Sequence, residues 1–169
     1  GALVGADTVT GGTGTDTLTI TAADTGIVDA NFTNVTNFET LALTGASTAT
    51  LGTEAGQAGF VTGTGTIKTG AGATSITADN SIAFTIDATS LADDIALTVA
   101  DVATSNLTVT GLTGNLVTTA LAGTLTVTTA DNAGDNDISI ETGAAATAVN
   151  LSAGNLTDTV TIDATDLAQ

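Results

Sequence analysis

Residues 11–19, Gly-Gly-Thr-Gly-Thr-Asp-Thr-Leu-Thr, place three glycines and one aspartate within six positions, followed by an alternating tail with one large aliphatic residue. That set suits a hard cation. Glycines at Gly12 and Gly14 allow a tight turn with backbone dihedrals that other residues avoid. Such a turn can aim carbonyl oxygens at an ion while Asp16 adds a charged oxygen ligand, and calcium takes about six to eight oxygens. The tail then enters a short strand with Leu18 turned toward a core. The plainer reading is that glycine and aspartate simply make turns between strands.

Residues 2–10 fit the same nine-residue frame more loosely. Gly5 aligns with Gly14, Asp7 with Asp16 and Val9 with Leu18. Ala2-Leu3 stands where the frame has Gly-Gly. Two consecutive turns are expected, the second complete and the first degraded, with Gly5 and Asp7 as partners of Gly12, Gly14 and Asp16. A second cation candidate is the acidic loop 131–137, where Asp131, Asp135 and Asp137 with Asn132 and Asn136 gather oxygens. It lacks the Glu that closes an EF-hand loop, and a solvated turn is the plainer reading. Asp93, Asp94 and Asp101 are expected to be loop charges.

Other chemistries find little to work with. The chain has no His, Cys or Tyr, so the usual nucleophile–base pairs are missing. Carboxylate pairs hydrolyse glycosides, but such sites normally come with aromatic sugar platforms, and Trp and Tyr are absent. No catalytic activity is expected. Eighteen acidic residues face a single base, Lys68, for a net charge of −17. Binding to nucleic-acid phosphates, which needs clustered Lys and Arg, is therefore not expected. The charge suits a divalent-cation binder, or a surface kept soluble where calcium is plentiful. No apolar run approaches the roughly 18–20 residues of a membrane span, so no membrane insertion is expected. Without an initiator Met or a signal peptide, the chain is expected to be a piece of a longer protein. Export by a C-terminal signal would also leave no N-terminal one.

The elements that must position these residues are short strands. The clearest alternating runs are 16–21, 39–44, 83–87, 96–100, 106–110, 124–128, 137–141, 148–152 and 158–163. Leu125 and Val127 fall on one face and Thr124, Thr126 and Thr128 on the other, the period of two that marks a half-buried strand. Gly, Asn and Asp fill the intervals, which predicts an all-β protein with turns at nearly regular distance. Weak repeats favour a parallel β-solenoid (β-helix or β-roll) over a Greek-key β-sandwich. Residues 85–89 return as 161–165, and 18–24 echo in 125–131. Residues 1–24 are read as the calcium-binding turns, and 25–38 as a short helix or elaborated corner plugging the core. Residues 39–169 form the solenoid body, with 53–59 a loop or single helical turn. Thr-x-Thr triplets at 8–10, 17–19, 108–110, 126–128 and elsewhere could line a flat face for ice or a crystalline polysaccharide. Their uneven spacing argues against a lattice match, and Thr is also the ordinary outward residue of a strand.

The frame G-G-x-G-x-D-x-U-x, complete at 11–19, resembles the repeat of the repeats-in-toxin, or haemolysin-type, calcium-binding family. Residues 34–45, Asn-Val-Thr-Asn-Phe-Glu-Thr-Leu-Ala-Leu-Thr-Gly, are similar to a stretch that often follows such repeats in large bacterial surface proteins, among them surface-layer proteins and adhesins exported by type I secretion. The resemblance implies calcium at Gly12, Gly14 and Asp16 with Gly5 and Asp7, in sites shared between successive turns. It also implies a secreted protein of the bacterial cell surface. The leading expectation is a structural component of a calcium-dependent surface layer or filament, partnered by copies of itself. The alternatives are a module of a large adhesin that binds glycan or ice, or an accessory calcium module of a secreted hydrolase.

Overall fold

A computed structural model describes residues 3–21, 26–44, 47–61, 64–78, 83–100, 106–119, 121, 123–130, 137–143, 148–153 and 159–164. These form a parallel β-solenoid. One face is a seven-stranded sheet made, in stacking order, of β2 (Thr17–Ile20), β4 (Thr40–Leu43), β6 (Thr66–Lys68), β8 (Phe84–Asp87), β10 (Leu107–Leu112), β12 (Thr124–Thr129) and β14 (Ala148–Ser152). The opposing face has six strands, β5 (Ser47–Leu51), β7 (Thr74–Ala78), β9 (Ala96–Ala100), β11 (Asn115–Thr118), β13 (Ile138–Glu141) and β15 (Val160–Asp163). The chain visits the two faces alternately, so each turn stacks on the one before. A Greek-key sandwich needs antiparallel neighbours, whereas every pairing among these strands is parallel.

Register makes the core a set of columns. Leu18, Leu41, Ile67, Ile86, Val109, Val127 and Leu151 follow one another up the first face. Leu97, Leu116, Ile140 and Ile162 do so on the second. Between these faces the aliphatic side chains of the middle turns are fully buried. Because strand side chains alternate, the Thr residues between them face outward.

The first turns are elaborated. A third, two-stranded sheet pairs β1 (Val9–Thr10) with β3 (Val35–Thr36). A 3-10 turn at Asp29–Phe32 and a short helix, α1 (Thr53–Ala58), close that side. Phe32 and Phe60 meet edge to face with centroids 5.4 Å apart, and Phe38 lies 6.1 Å from Phe60. Three of the four Phe thus pack together on the side where the 3-10 turn, α1 and β3 meet. The Asp29 carboxylate accepts the N–H groups of Gly52 and Ala55 at 2.8 Å and of Glu54 at 3.1 Å. It caps α1 from the preceding turn, because Gly52 at the N-cap has no side chain to do so.

Candidate cation-binding corner

Residues 11–16 form the corner that delivers the chain into β2. Gly12 and Gly14 have φ of 107° and 123°, the left-handed region that disfavours side chains. Gly11 has a different reason to be glycine. A Cβ there would collide with the Asn37 carbonyl and the Asp16 Cβ, so its absence lets the corner rest directly on the next turn. The Gly11 N–H donates to the Thr36 carbonyl at 3.0 Å.

The pairing Thr17↔Thr40 sets the preceding residues, Asp16 and Glu39, side by side on successive turns. The Asp16 N–H donates to Glu39 Oε2 at 2.8 Å, and the Asp16 carbonyl accepts from the N–H groups of Glu39 and Thr40 at 3.2 and 3.1 Å. Both acids are half-buried. Asp16 Oδ2 is buried without a hydrogen-bond partner, which is costly for a carboxylate oxygen. A cation beside it would offset that cost. Carboxylate oxygens are hard donors of the kind calcium takes, so the Asp16 carboxylate with the second oxygen of Glu39 would be the residues to hold it. Among the described residues no three acidic side chains converge as a ready-made metal cluster, so backbone oxygens would have to complete the shell.

Glu39 did not figure among the sequence candidates. The signal was available in the spacing: it is the only acid in 34–45, and it precedes a Thr-Leu strand just as Asp16 does. Residues 34–43 are the turn laid over the glycine-rich one. Asn34 Nδ2 donates to the Gly5 carbonyl at 2.8 Å, Glu39 holds Asp16, and Val35, Phe38, Leu41 and Leu43 are buried.

Gly5 and Asp7 lie elsewhere. The first nine-residue frame feeds β1, which pairs with β3, whereas the second feeds β2, which pairs with β4. The two frames are therefore successive sides of one turn rather than two stacked turns, as the alignment suggested. Gly5 packs against the Ala30 carbonyl. Asp7 is exposed, and its Oδ2 accepts the Val4 N–H at 3.0 Å, closing its own turn. Neither stacks on the Asp16 corner.

Asp137 is occupied differently again. Its Oδ1 accepts the Thr159 N–H at 3.1 Å, one turn on. Asn106 does the same for Thr124 and Asn115 for Ser139, both at 2.9 Å. An Asx residue at a strand entrance thus staples successive turns by satisfying a backbone donor that the ladder leaves over. Asp131 and Asp135, like Asp101, lie outside the described residues. Asp94 adopts φ of 57°.

The first face also carries a second column in register, in which Thr17, Thr66, Thr85, Thr108, Thr126 and Asn150 turn outward while Thr40 is buried. The uneven sequence spacing that argued against a lattice is absorbed at the corners, so the column is regular although the turns differ in length. Beside it, Lys68 lies against Asp87 at 3.6 Å. On the second face Thr48, Ser75 and Thr98 with Ala73 and Ala96 edge a shallow trough of about 320 Å³ that holds hydroxyls and methyls but no ionisable group. No described helix is long and apolar enough to cross a membrane. Comparison of the chain with protein-family models, characterised proteins and solved structures finds no match.

Proposed function

We propose that this chain is a non-catalytic structural solenoid of a secreted, calcium-dependent bacterial surface layer or filament, which associates with copies of itself. The observation that carries the reading is the unpartnered, buried Asp16 Oδ2 beside a second carboxylate, Glu39, at a glycine-rich corner. Calcium held there neutralises two like charges set side by side and locks the first turn onto the second. Bulk calcium does the same at longer range for a body of net charge −17, whose copies otherwise repel one another. Turns fixed by staples and columns make a rigid rod, which is what a surface lattice needs.

The test is sedimentation of the purified chain with and without millimolar calcium, with circular dichroism on the same samples. Growth into large species in calcium is expected. A monomer indifferent to calcium would overturn the reading.

The in-register Thr column favours a second reading, a module of a large adhesin whose flat hydroxyl face binds glycan or ice. It requires a monomer that co-sediments with an insoluble polysaccharide or ice.

A further inference from the structure

The seven strands of the first face contain just two ionisable residues, Lys68 and Asp87, in a chain of net charge −17. Their other outward side chains are Thr, Ser, Asn or Ala. The opposing face carries Glu141 and Asp163, and the remaining described acids lie at corners, in the 3-10 turn or in α1. The first face is therefore neutral overall, and two copies approach there against the least repulsion. Lys68 is also the single base of the chain. It stands on the third strand of the seven, and Asp87 on the fourth, away from both ends of the stack. The two are register partners, with Nζ 3.6 Å from Oδ2, and their side chains remain 52 % and 24 % exposed.

We infer that this face is a two-fold interface with a second copy of this chain, its axis running parallel to the strands between β6 and β8. This rests on the self-association proposed above and names its mode. The rotation turns one copy over and carries β6 onto β8, so Lys68 of each copy faces Asp87 of the other. Because the two residues are in register, both contacts form together, and one patch serves both copies, as an isologous interface requires. The same rotation sets β4 against β10 and β2 against β12. Ala42 then meets Thr110, and Thr17 meets Thr126. A two-fold axis along the stack would instead bring Lys68 to Lys68 and Asp87 to Asp87. A neutral polysaccharide offers no charges to match the pair, whereas a second copy offers both. The pair fixes register and orientation more than affinity, and the hydroxyls and methyls around it make the rest of the contact. Calcium promotes the approach by neutralising acids outside the face, and the paired solenoids run antiparallel.

Ala42 and Thr110 stand three strand spacings apart in one copy, about 14 Å, yet oppose each other across the axis, where packed sheets lie about 10 Å apart. The chain has no cysteine of its own. An equimolar mixture of Ala42→Cys and Thr110→Cys, treated with a short bismaleimide in millimolar calcium, is expected to give a covalent heterodimer. Neither variant alone should cross-link. Lys68→Asp in both chains sets acid against acid and should cut the yield at least about tenfold. Asp87→Lys in both chains should do the same. Lys68→Asp in one chain and Asp87→Lys in the other should restore the yield, although the pair within each chain stays broken. A purely internal role for the pair predicts no such recovery. Asp87 also accepts the Thr89 N–H at 3.2 Å, so circular dichroism on the same samples checks the fold. Asp87→Asn keeps an accepting oxygen there and should lower the yield on its own. Dimers from Ala42→Cys alone, or a yield indifferent to the charge changes, overturn the inference. So does a monomer that co-sediments with crystalline chitin, which gives the face to a glycan. Calcium-driven assembly by sedimentation with no heterodimer overturns it while leaving self-association standing, and a monomer under all conditions removes both.

Discussion

The Glu39 carboxylate accepts the backbone N–H of Asp16 across one turn of the solenoid, at 2.8 Å. Glu39→Ala removes a charge-assisted bond and leaves a corner donor unpaired, which costs about 1.5–3 kcal/mol. The lower end is expected because the corner is half-exposed. Glu39→Gln keeps an accepting oxygen and should recover most of that loss. Urea unfolding of the three proteins without calcium is the measurement.

Calcium is expected to separate the two sets of acids. Binding to the folded chain raises its stability as the ratio of free calcium to Kd grows, by about 2.7 kcal/mol at a hundredfold excess over Kd. That gain should disappear in Asp16→Ala and shrink in Glu39→Gln. It should persist in Asp137→Asn, because an amide oxygen can still accept the Thr159 N–H. Thermal unfolding with calcium and with chelator distinguishes the variants. Loss of the gain in Asp137→Asn would move the site to the other end of the chain.

Asp29 holds α1 by three backbone donors. Asp29→Ala is expected to cost about 1–2 kcal/mol, as for the loss of a good N-cap. The damage should be local, with hydrogen exchange faster at Glu54 and Ala55 and unchanged in β12. Uniform exchange along the solenoid would contradict this.

Much of the fold is legible in alternation. Thr124, Leu125, Thr126 and Val127 announce β12, and each of the nine runs picked out by period two is a strand. β5 and β7 were harder to read because Ser47 and Thr74 point inward, and a polar residue on the buried face erases the pattern. Ser47 Oγ is buried without a partner, so nothing local marks it as a core position. The repeats proved local rather than turn for turn. Residues 85–87 lie in β8 and 161–163 in β15, on opposite faces. Leu18 stacks in the column of Val127, not that of its sequence echo Leu125. Asp16 was visible as a candidate ligand, but its neighbour depends on how many residues complete a turn, and turn length varies with every corner.

The hydroxyl column supplies the last test. Thr108 is half-buried and outward, between Thr85 and Thr126. Thr108→Lys changes a surface position away from caps and core, so a stability change within about 0.5 kcal/mol is expected. The neighbouring outward column is broken by Lys68 and Asp87, whose hydrated charges interrupt a flat array of hydroxyls. The unmodified chain is therefore expected not to co-sediment with crystalline chitin or cellulose. Co-sedimentation that Thr108→Lys abolishes would assign the face to a polysaccharide lattice and favour the adhesin reading.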